Sequence, residues 1–213
     1  MVNTTPKQHD TASIREITHP RHATALVHGL TPRQRLTETL WELIGQPLFR
    51  ITFHNWYALR NRILRIFGAD VHPSARIRPT ARIAHPWQLK VGANTAIGDY
   101  AILYCLGPIS IGRCCTVSQY SHLCDASHDF TRADMQLLTP GIAIDDDAWI
   151  AADTFVGPGV NVGQGAILGA RASAFKDLKP WTIYGGDTAK ELGKRTKLPP
   201  IPDQHKHPEY DQP

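Results

Sequence analysis

The chain has 213 residues, of which 42% are hydrophobic and 20% are charged. That length suits one domain with appendages, and that composition excludes a fully disordered chain. No uninterrupted apolar stretch reaches the roughly 18 residues that a membrane span needs. The formal net charge of +4 is too small to argue for a nucleic-acid partner.

The cysteines contain no Cys-x-x-Cys pair, which argues against a zinc ribbon or a thioredoxin-like site. They are Cys105, Cys114, Cys115 and Cys124. The segment from Met1 to Thr18 is polar and lacks the apolar core of a signal peptide. We therefore expect a cytoplasmic protein whose reduced thiols serve as small packed side chains.

The first third of the chain divides into a polar arm and a helical stretch. Residues 1–32 show no period and are predicted to be a loose arm, whereas 33–70 is predicted to be a helical cap. Its apolar residues at helical spacing are Leu36, Leu40, Leu43, Ile44, Leu59, Ile63, Ile66 and Phe67. Thr31 is the predicted N-cap with Pro32 at the first helical position, and Pro47 is predicted to divide the stretch into two helices.

From Val71 onward an aliphatic residue recurs every six positions, apart from two slips of two residues and one long interruption. These positions are Val71, Ile77, Ile83, Leu89, Val91, Ile97, Leu103, Ile109, Ile111, Val117, Leu123, Ile144, Ile150, Val156, Val162, Leu168 and Ala174. An amphipathic helix cannot carry this period, because its apolar face would rotate around the axis. One inward aliphatic per short strand, with three strands in a coil of roughly 18 residues, predicts a β-helix over 71–192.

Other features of the repeat predict its turns and its ends. Glycine often follows the aliphatic residue, where we expect it to permit the turn, and small residues four positions on are expected to fit the corners. These glycines are Gly92, Gly98, Gly112, Gly157, Gly163 and Gly169. The interruption at 129–141 is an excursion loop of a length that usually carries function. The polar, proline-rich stretch 193–213 is predicted to be an arm.

Several short motifs accompany the repeat. They are Leu64-Arg65-Ile66-Phe67-Gly68-Ala69, Pro86-Trp87-Gln88-Leu89, Leu103-Tyr104-Cys105-Leu106-Gly107, Val117-Ser118-Gln119, Leu123-Cys124-Asp125-Ala126-Ser127-His128-Asp129 and Gly169-Ala170-Arg171. With them, residues 71–190 resemble the hexapeptide-repeat acyltransferases, and in particular the colanic acid biosynthesis acetyltransferases, relatives of the galactoside and maltose O-acetyltransferases. The resemblance covers about 35–192 and implies a mainly β fold, a left-handed parallel β-helix with an N-terminal helical cap and a C-terminal arm.

The same resemblance implies an activity. It implies transfer of an acetyl group from acetyl-CoA to a sugar or glycan hydroxyl, in the synthesis of an exopolysaccharide or cell-surface glycan. It also implies a homotrimer with three active sites between adjacent prisms, and it implies no metal.

His128 is the predicted catalytic residue, because the histidine at this motif position is the general base in the similar acetyltransferases. A positioned imidazole can take the proton of an alcohol as the alcohol attacks a thioester. From position alone His128 would be an ordinary surface histidine. Asp129 is predicted to be a substrate-binding residue. It could also orient His128, but adjacent residues on an extended chain point in opposite directions. Loop capping by Asp129 is favoured, and a backbone carbonyl could equally fix the histidine tautomer.

Four residues are predicted to bind the cofactor. By resemblance, Trp149 lies near the thioester end of CoA, and the backbone N–H groups at Ala152 and Ala170 hydrogen-bond the pantetheine arm. Lys176 fits a phosphate contact by its point charge. Each has a plainer interpretation: a packed aromatic residue for Trp149, corner packing for the alanines and an unpartnered surface lysine for Lys176.

Two departures from the family pattern stand out. Many family members carry Asn where Cys105 stands, and that side chain helps to hold the acceptor, which makes Cys105 the predicted substrate-binding position. A cysteine cannot donate comparably. The family's Gly-Asn-Pro-Ala motif is replaced by Gly186-Asp187-Thr188-Ala189, which puts the nucleotide contacts in doubt.

Other interpretations remain open. The basic amphipathic stretch 33–67 either caps the first coil, as any solenoid requires, or rests on the inner face of a membrane. A zinc-dependent hydratase of the carbonic anhydrase type would draw its ligands from His85, His122 and His128, which would have to converge at about 2 Å from the metal. A β-helix scaffold without catalytic activity would bind no CoA.

Overall fold

A computed structural model describes residues 31–197. Most of the predicted arm at 1–32, and most of the predicted tail at 193–213, lie outside the described residues. What is described is an N-terminal group of helices followed by a solenoid of short strands.

The helices are α1 (Pro32–Leu40), a π-helical turn (Trp41–Gly45), α2 (Gln46–Arg50) and α3 (Tyr57–Ile66). The predicted N-cap is confirmed, because the Thr31 hydroxyl accepts a hydrogen bond from the Gln34 amide at 3.3 Å and the Gln34 side chain accepts one from the Thr31 amide at 2.9 Å. This reciprocal pair is a capping box.

The prediction that Pro47 divides the helical stretch is wrong. Pro47 lies in the first turn of α2, directly after the π-helical turn, in which the Gln46 amide donates to the Trp41 carbonyl. A proline lacks the N–H that a regular turn would use at this point, and the wider π turn accommodates that loss. The helical path therefore continues to Arg50, and the break falls between Arg50 and Tyr57.

Nineteen strands, numbered β1 to β19 in chain order, form three sheets and one hairpin within residues 31–197. Sheet A contains β1 (Asp70–Val71), β4 (Leu89–Val91), β7 (Ile109–Ile111), β12 (Ile142–Ile144) and β15 (Asn161–Val162). Sheet B contains β2 (Arg76–Ile77), β5 (Ala96–Ile97), β8 (Thr116–Val117), β13 (Trp149–Ile150), β16 (Ile167–Leu168), β18 (Thr182–Gly185) and β19 (Lys190–Lys194). Sheet C contains β3 (Arg82–Ile83), β6 (Ile102–Tyr104), β9 (His122–Cys124), β14 (Phe155–Val156) and β17 (Ser173–Ala174), and the hairpin contains β10 (Ser127–His128) and β11 (Leu137–Leu138).

Apart from the hairpin, the chain visits sheets A, B and C in turn from β1 to β17, and these strands pair in parallel with their counterparts in neighbouring coils. Ile150, for example, pairs with Val117 before it and with Leu168 after it, and all three side chains are buried inside the prism. The two places where the six-residue period is offset by two residues both lie in sheet A. There a three-residue strand such as β4 buries two aliphatic side chains, Leu89 and Val91, instead of one. The predicted parallel β-helix is confirmed.

The predicted role of the repeat glycines is wrong. The positive-φ position of each turn lies two residues later and is often not glycine, as at Tyr100 (φ 59°), which follows Gly98. Gly98 is instead needed for close approach of coils, since a Cβ there would lie 2.6 Å from the Gln119 amide nitrogen. The small corner residues are confirmed as packing elements: Ala101, Ser121 and Thr154 are buried.

The helices close the first coil through side-chain donors. The Trp41 indole donates to the Ile83 carbonyl at 3.0 Å, and the buried Arg60 guanidinium donates from Nε to the Ile77 carbonyl at 2.7 Å. Asn61 donates to the Ala75 carbonyl at 2.8 Å. Backbone acceptors at the open end of the solenoid are thereby satisfied, as a capping element requires.

The other end of the solenoid is covered by β19, which pairs antiparallel with β18. This strand continues to Lys194, so it includes the first two residues of the predicted C-terminal arm. Among the helices at 31–197, none is long and apolar enough to cross a bilayer.

Candidate active site

The excursion predicted at 129–141 leaves the prism at the corner between sheets C and A. It is organised by β10 and β11, which pair antiparallel with Ser127 opposite Leu138 and His128 opposite Leu137. An antiparallel pair needs only a short connection, so the hairpin forms a defined projection from the solenoid.

The base of the hairpin is anchored by Asp125, which the sequence analysis did not single out. Its carboxylate accepts hydrogen bonds from the Leu106 amide at 3.0 Å and the Gly107 amide at 2.7 Å. Burial raises the pKa of Asp125, although these two amides oppose the shift. The sequence offered one signal for this role: Asp125 is an acidic residue three positions before His128, inside the motif that matches the family.

His128 is exposed at the end of β10, and its Nδ1 atom lies 2.6 Å from the Met135 carbonyl oxygen. A carbonyl can only accept, so Nδ1 carries the hydrogen and a neutral ring keeps its lone pair on Nε2. A backbone carbonyl, which the sequence analysis left open as an alternative, therefore holds the ring. The exposed Nε2 is free to act as a base toward a bound molecule.

Asp129 caps the loop. Its Oδ1 atom accepts hydrogen bonds from the Thr131 amide at 3.0 Å and from the Thr131 hydroxyl at 2.6 Å. Its own amide donates to the Gln136 carbonyl at 2.8 Å. This geometry is an Asx turn, and it agrees with the favoured capping role of Asp129.

Trp149 and the two alanines lie at the corner between sheets B and C. Trp149 is partly exposed on β13, and its indole N–H donates to the Ser118 hydroxyl at 3.0 Å, which fixes the ring against this corner. Ala152 and Ala170 stand above one another, since the Arg171 amide donates to the Ala152 carbonyl at 3.0 Å. Within residues 31–197, neither alanine donates its own N–H to a backbone acceptor.

Lys176 lies elsewhere. It is exposed and follows β17, at the corner between sheets C and A from which the hairpin also projects. Within one protomer the predicted residues therefore lie at two different corners. His128 and Lys176 are at the corner between sheets C and A, and Trp149, Ala152 and Ala170 are at the corner between sheets B and C.

The predicted acceptor contact by Cys105 is wrong for this structure. Its side chain is fully buried, and the sulfur lies 3.3 Å from the carbonyl oxygens of His85 and Leu103. Burial raises the pKa of this thiol to about 12. A cysteine is smaller and less polar than asparagine, so it packs inward where an amide side chain would seek polar partners.

The three histidines considered for zinc occupy different environments. His85 stacks on Trp87 with 4.6 Å between ring centroids, and its Nε2 lies 3.1 Å from Glu38. His122 lies on sheet C with its ring edge-on to Phe155, and burial lowers its pKa. Within residues 31–197, no group of three or more His, Cys, Asp or Glu side chains is arranged to hold a metal ion.

The comparisons with known proteins agree with this architecture. No protein-family model matches the chain. The chain is 36% identical over 158 residues to the colanic acid biosynthesis acetyltransferase WcaF of Escherichia coli, and the match covers 74% of this chain and 87% of WcaF. The chain belongs to the hexapeptide-repeat acetyltransferases, as its resemblance to them predicts.

Solved structures of hexapeptide-repeat acetyltransferases have the same fold. A Vibrio cholerae member complexed with acetyl-CoA superimposes with a TM-score of 0.71 at 22% identity, over 80% of this chain and 93% of that one. A galactoside acetyltransferase in complex with coenzyme A superimposes with a TM-score of 0.72 at 15% identity, over 79% of this chain and 86% of that one. This chain is an acetyltransferase.

Proposed function

We propose that this acetyltransferase moves the acetyl group of acetyl-CoA to a sugar hydroxyl, with His128 as the general base. The observation that carries the proposal is the 2.6 Å contact of His128 Nδ1 with the Met135 carbonyl. It leaves the lone pair on an exposed Nε2, at the edge of a hairpin where an acceptor has room to approach. The match to WcaF, named for colanic acid biosynthesis, favours a glycan or its precursor as the acceptor.

The reaction needs one proton carrier. Nε2 of His128 takes the hydroxyl proton as the sugar oxygen attacks the thioester carbonyl carbon, which forms a tetrahedral intermediate. Collapse of that intermediate breaks the C–S bond, and the departing thiolate takes the proton from Nε2. The products are the acetylated sugar and CoA, and His128 returns to its starting form.

The cofactor is bound at the corner between sheets B and C. The N–H groups of Ala152 and Ala170 have no backbone acceptor within the described chain, and a methyl side chain lets an extended pantetheine arm approach them. Trp149 supplies an apolar surface held by Ser118. Lys176 lies at the C–A corner and therefore contacts a phosphate of the nucleotide end from the neighbouring copy of the chain.

The active enzyme is a homotrimer, with each active site between neighbouring prisms. The family resemblance implies this arrangement, and the division of the residues between two corners of one protomer supports it. A second copy, rotated about a threefold axis, brings the hairpin corner of one prism to the B–C corner of the next. The acceptor then lies between His128 of one copy and the thioester held by its neighbour.

A thiol-release assay with acetyl-CoA and a panel of sugars tests the proposal. We expect His128→Ala to lower kcat by roughly 10²–10⁴-fold and to leave the melting temperature unchanged. His72→Ala is the matched control, because His72 is also exposed and its ring is hydrogen-bonded to the nearby Ser74. An active preparation whose turnover survives His128→Ala contradicts the general-base role.

The quaternary proposal has its own test. Light scattering on the purified protein is expected to give three copies per particle. A mixture of His128→Ala chains with chains defective in the B–C corner is expected to regain activity on reassembly, because one site in a mixed trimer combines two intact surfaces. A fully active monomer would contradict the shared site.

A further inference from the structure

The helical cap exposes a stripe of large apolar side chains. Along α1, the π turn and α2, this stripe consists of Leu36, Leu40, Leu43, Ile44, Leu48 and Ile51. Their spacing of three or four residues places them on one side of the helical path. The side that packs on the solenoid is a neighbouring one, formed by Trp41, Gly45 and Phe49.

The connection to α3 and α3 itself also expose large apolar side chains. Phe53 and Trp56 are exposed and pack on each other with 5.3 Å between ring centroids. In α3, Leu59 and Ile66 are also exposed and stand seven residues apart, on one face. Ten large apolar side chains are thus exposed on the helical cap, and large exposed apolar surfaces often mark sites that bind a partner or a membrane. We call these ten residues the cap patch.

Arginines border the cap patch. Arg33 precedes Leu36 and Leu40 by three and seven residues, so it lies at one end of the stripe. Arg62 stands between Leu59 and Ile66 on the same face of α3. The other exposed arginines of the cap are Arg35, Arg50 and Arg65, against one exposed carboxylate, Glu42, because Glu38 is half-buried beside His85.

The geometry points to a peripheral membrane-binding surface: we propose that the cap patch docks on a bilayer that contains anionic lipid. Apolar and tryptophan side chains in the plane of the interface, with arginines at the level of the headgroups, are the features that hold an amphipathic helix there. The cap packs on the first coil, so its free face looks away from the solenoid. Capping the coil and binding a membrane are therefore tasks of two different faces of the same helices.

Two other occupants fit the observations less well. A second copy of the cap would bring the arginines of two patches together, and like charges in an interface oppose association. Residues 1–30 contain few large aliphatic side chains, chiefly Ile14, Ile17, Leu26 and Leu30, against ten in the cap patch. A bilayer accepts all ten at once and attracts the arginines.

Vesicle co-sedimentation of the full chain tests the proposal. We expect binding to vesicles of phosphatidylcholine with phosphatidylglycerol and much weaker binding to phosphatidylcholine alone. The double variant Leu43→Glu with Ile51→Glu, at positions that are 73% and 76% exposed, is expected to bind at least about tenfold more weakly. The matched control is Leu192→Glu, which is 70% exposed on β19 at the far end of the solenoid and is expected to bind like the parent.

The arginines give a second measurement. Replacement of Arg50 or Arg62 by Gln is expected to weaken binding to the anionic vesicles by about fivefold each, and added salt is expected to weaken it further. All variants are expected to keep their acetyl-CoA turnover in solution, because none lies at the site of His128.

Three outcomes would overturn the proposal. One is a parent protein that does not sediment with anionic vesicles. Another is an equal affinity of the parent and the double variant, which would assign binding to a different surface. The third is a smaller particle size for the double variant without vesicles, which would identify the cap patch as a contact between copies of the chain.

Discussion

The Nδ1 atom of His128 and the carbonyl oxygen of Met135 lie 2.6 Å apart, across the hairpin that leaves the solenoid. The two residues are seven positions apart in the chain, and β10 and β11 bring them together. Because the carbonyl selects which ring nitrogen carries the hydrogen, the hairpin gives the imidazole the tautomer that a base at Nε2 needs.

This relationship predicts a measurable tautomer. When the His128 ring is neutral, long-range ¹H–¹⁵N spectra of the imidazole are expected to show a protonated Nδ1 and an unprotonated Nε2. Spectra of His128→Ala identify the signals by their loss. A ring that carries its hydrogen on Nε2 would show that the Met135 carbonyl does not control it.

Asp129 offers a test of capping against orientation. Asp129→Asn keeps an oxygen that can accept from the Thr131 amide, so kcat is expected to stay within about twofold of the parent. Asp129→Ala removes that acceptor and is expected to lower kcat more, through a looser hairpin, while the KM for acetyl-CoA stays constant. A loss in Asp129→Asn as large as in His128→Ala would mean that the charge of Asp129 acts on the imidazole.

The corner alanines predict a change in cofactor affinity. Ala152→Leu is expected to raise the KM for acetyl-CoA by roughly tenfold or more, because the larger side chain separates the pantetheine arm from the backbone. Ala93→Leu is the control: Ala93 occupies the corresponding turn position at the corner between sheets A and B, where its carbonyl accepts from the Cys114 amide at 2.8 Å. Equal effects of the two substitutions would indicate a general disturbance of the solenoid rather than a cofactor site.

Arg60 is expected to stabilise the junction of cap and solenoid. Besides Ile77, its guanidinium donates to the Thr52 hydroxyl at 2.7 Å and to the carbonyls of Phe53 and His54 at 2.5 Å each. Arg60→Met leaves these buried and partly buried acceptors without this donor and is expected to lower the free energy of unfolding by about 3 kcal/mol, measured by urea denaturation. Arg62→Met, at the exposed position two residues on, is expected to change it by less than about 0.5 kcal/mol.

Thiol labelling is expected to separate the cysteines by burial. Burial raises the pKa of Cys105 to about 12 and that of Cys115 to about 11, so both thiols are almost entirely protonated at pH 8 and shielded from reagent. Cys114 is exposed and is expected to react first with iodoacetamide, as read by mass spectrometry of the peptides. Labelling of Cys105 before Cys114 in the folded protein would contradict the buried placement of Cys105.

The sequence alone determined the solenoid and the place of the candidate base. An inward aliphatic side chain at every sixth position predicts coils of three short strands, and residues such as Ile97, Val117 and Ile150 are buried as that pattern requires. The motif around His128, through its resemblance to the acetyltransferase family, together with the interruption of the repeat beside it, predicted His128 as the base. These features are local patterns, which a sequence records directly.

Only the tertiary structure decided how the site is completed. The partner of His128 is a main-chain carbonyl. Every residue has one, so the residue types in the sequence could not identify Met135 as this partner. The burial of Cys105 depends on the coil packed against it, and the exposure of Leu43 and Ile51 depends on which side of the cap docks on the first coil. In each case the contact is between residues that are separated in the sequence. Several packing partners are possible for each of them, and only the folded chain determines which one is in contact.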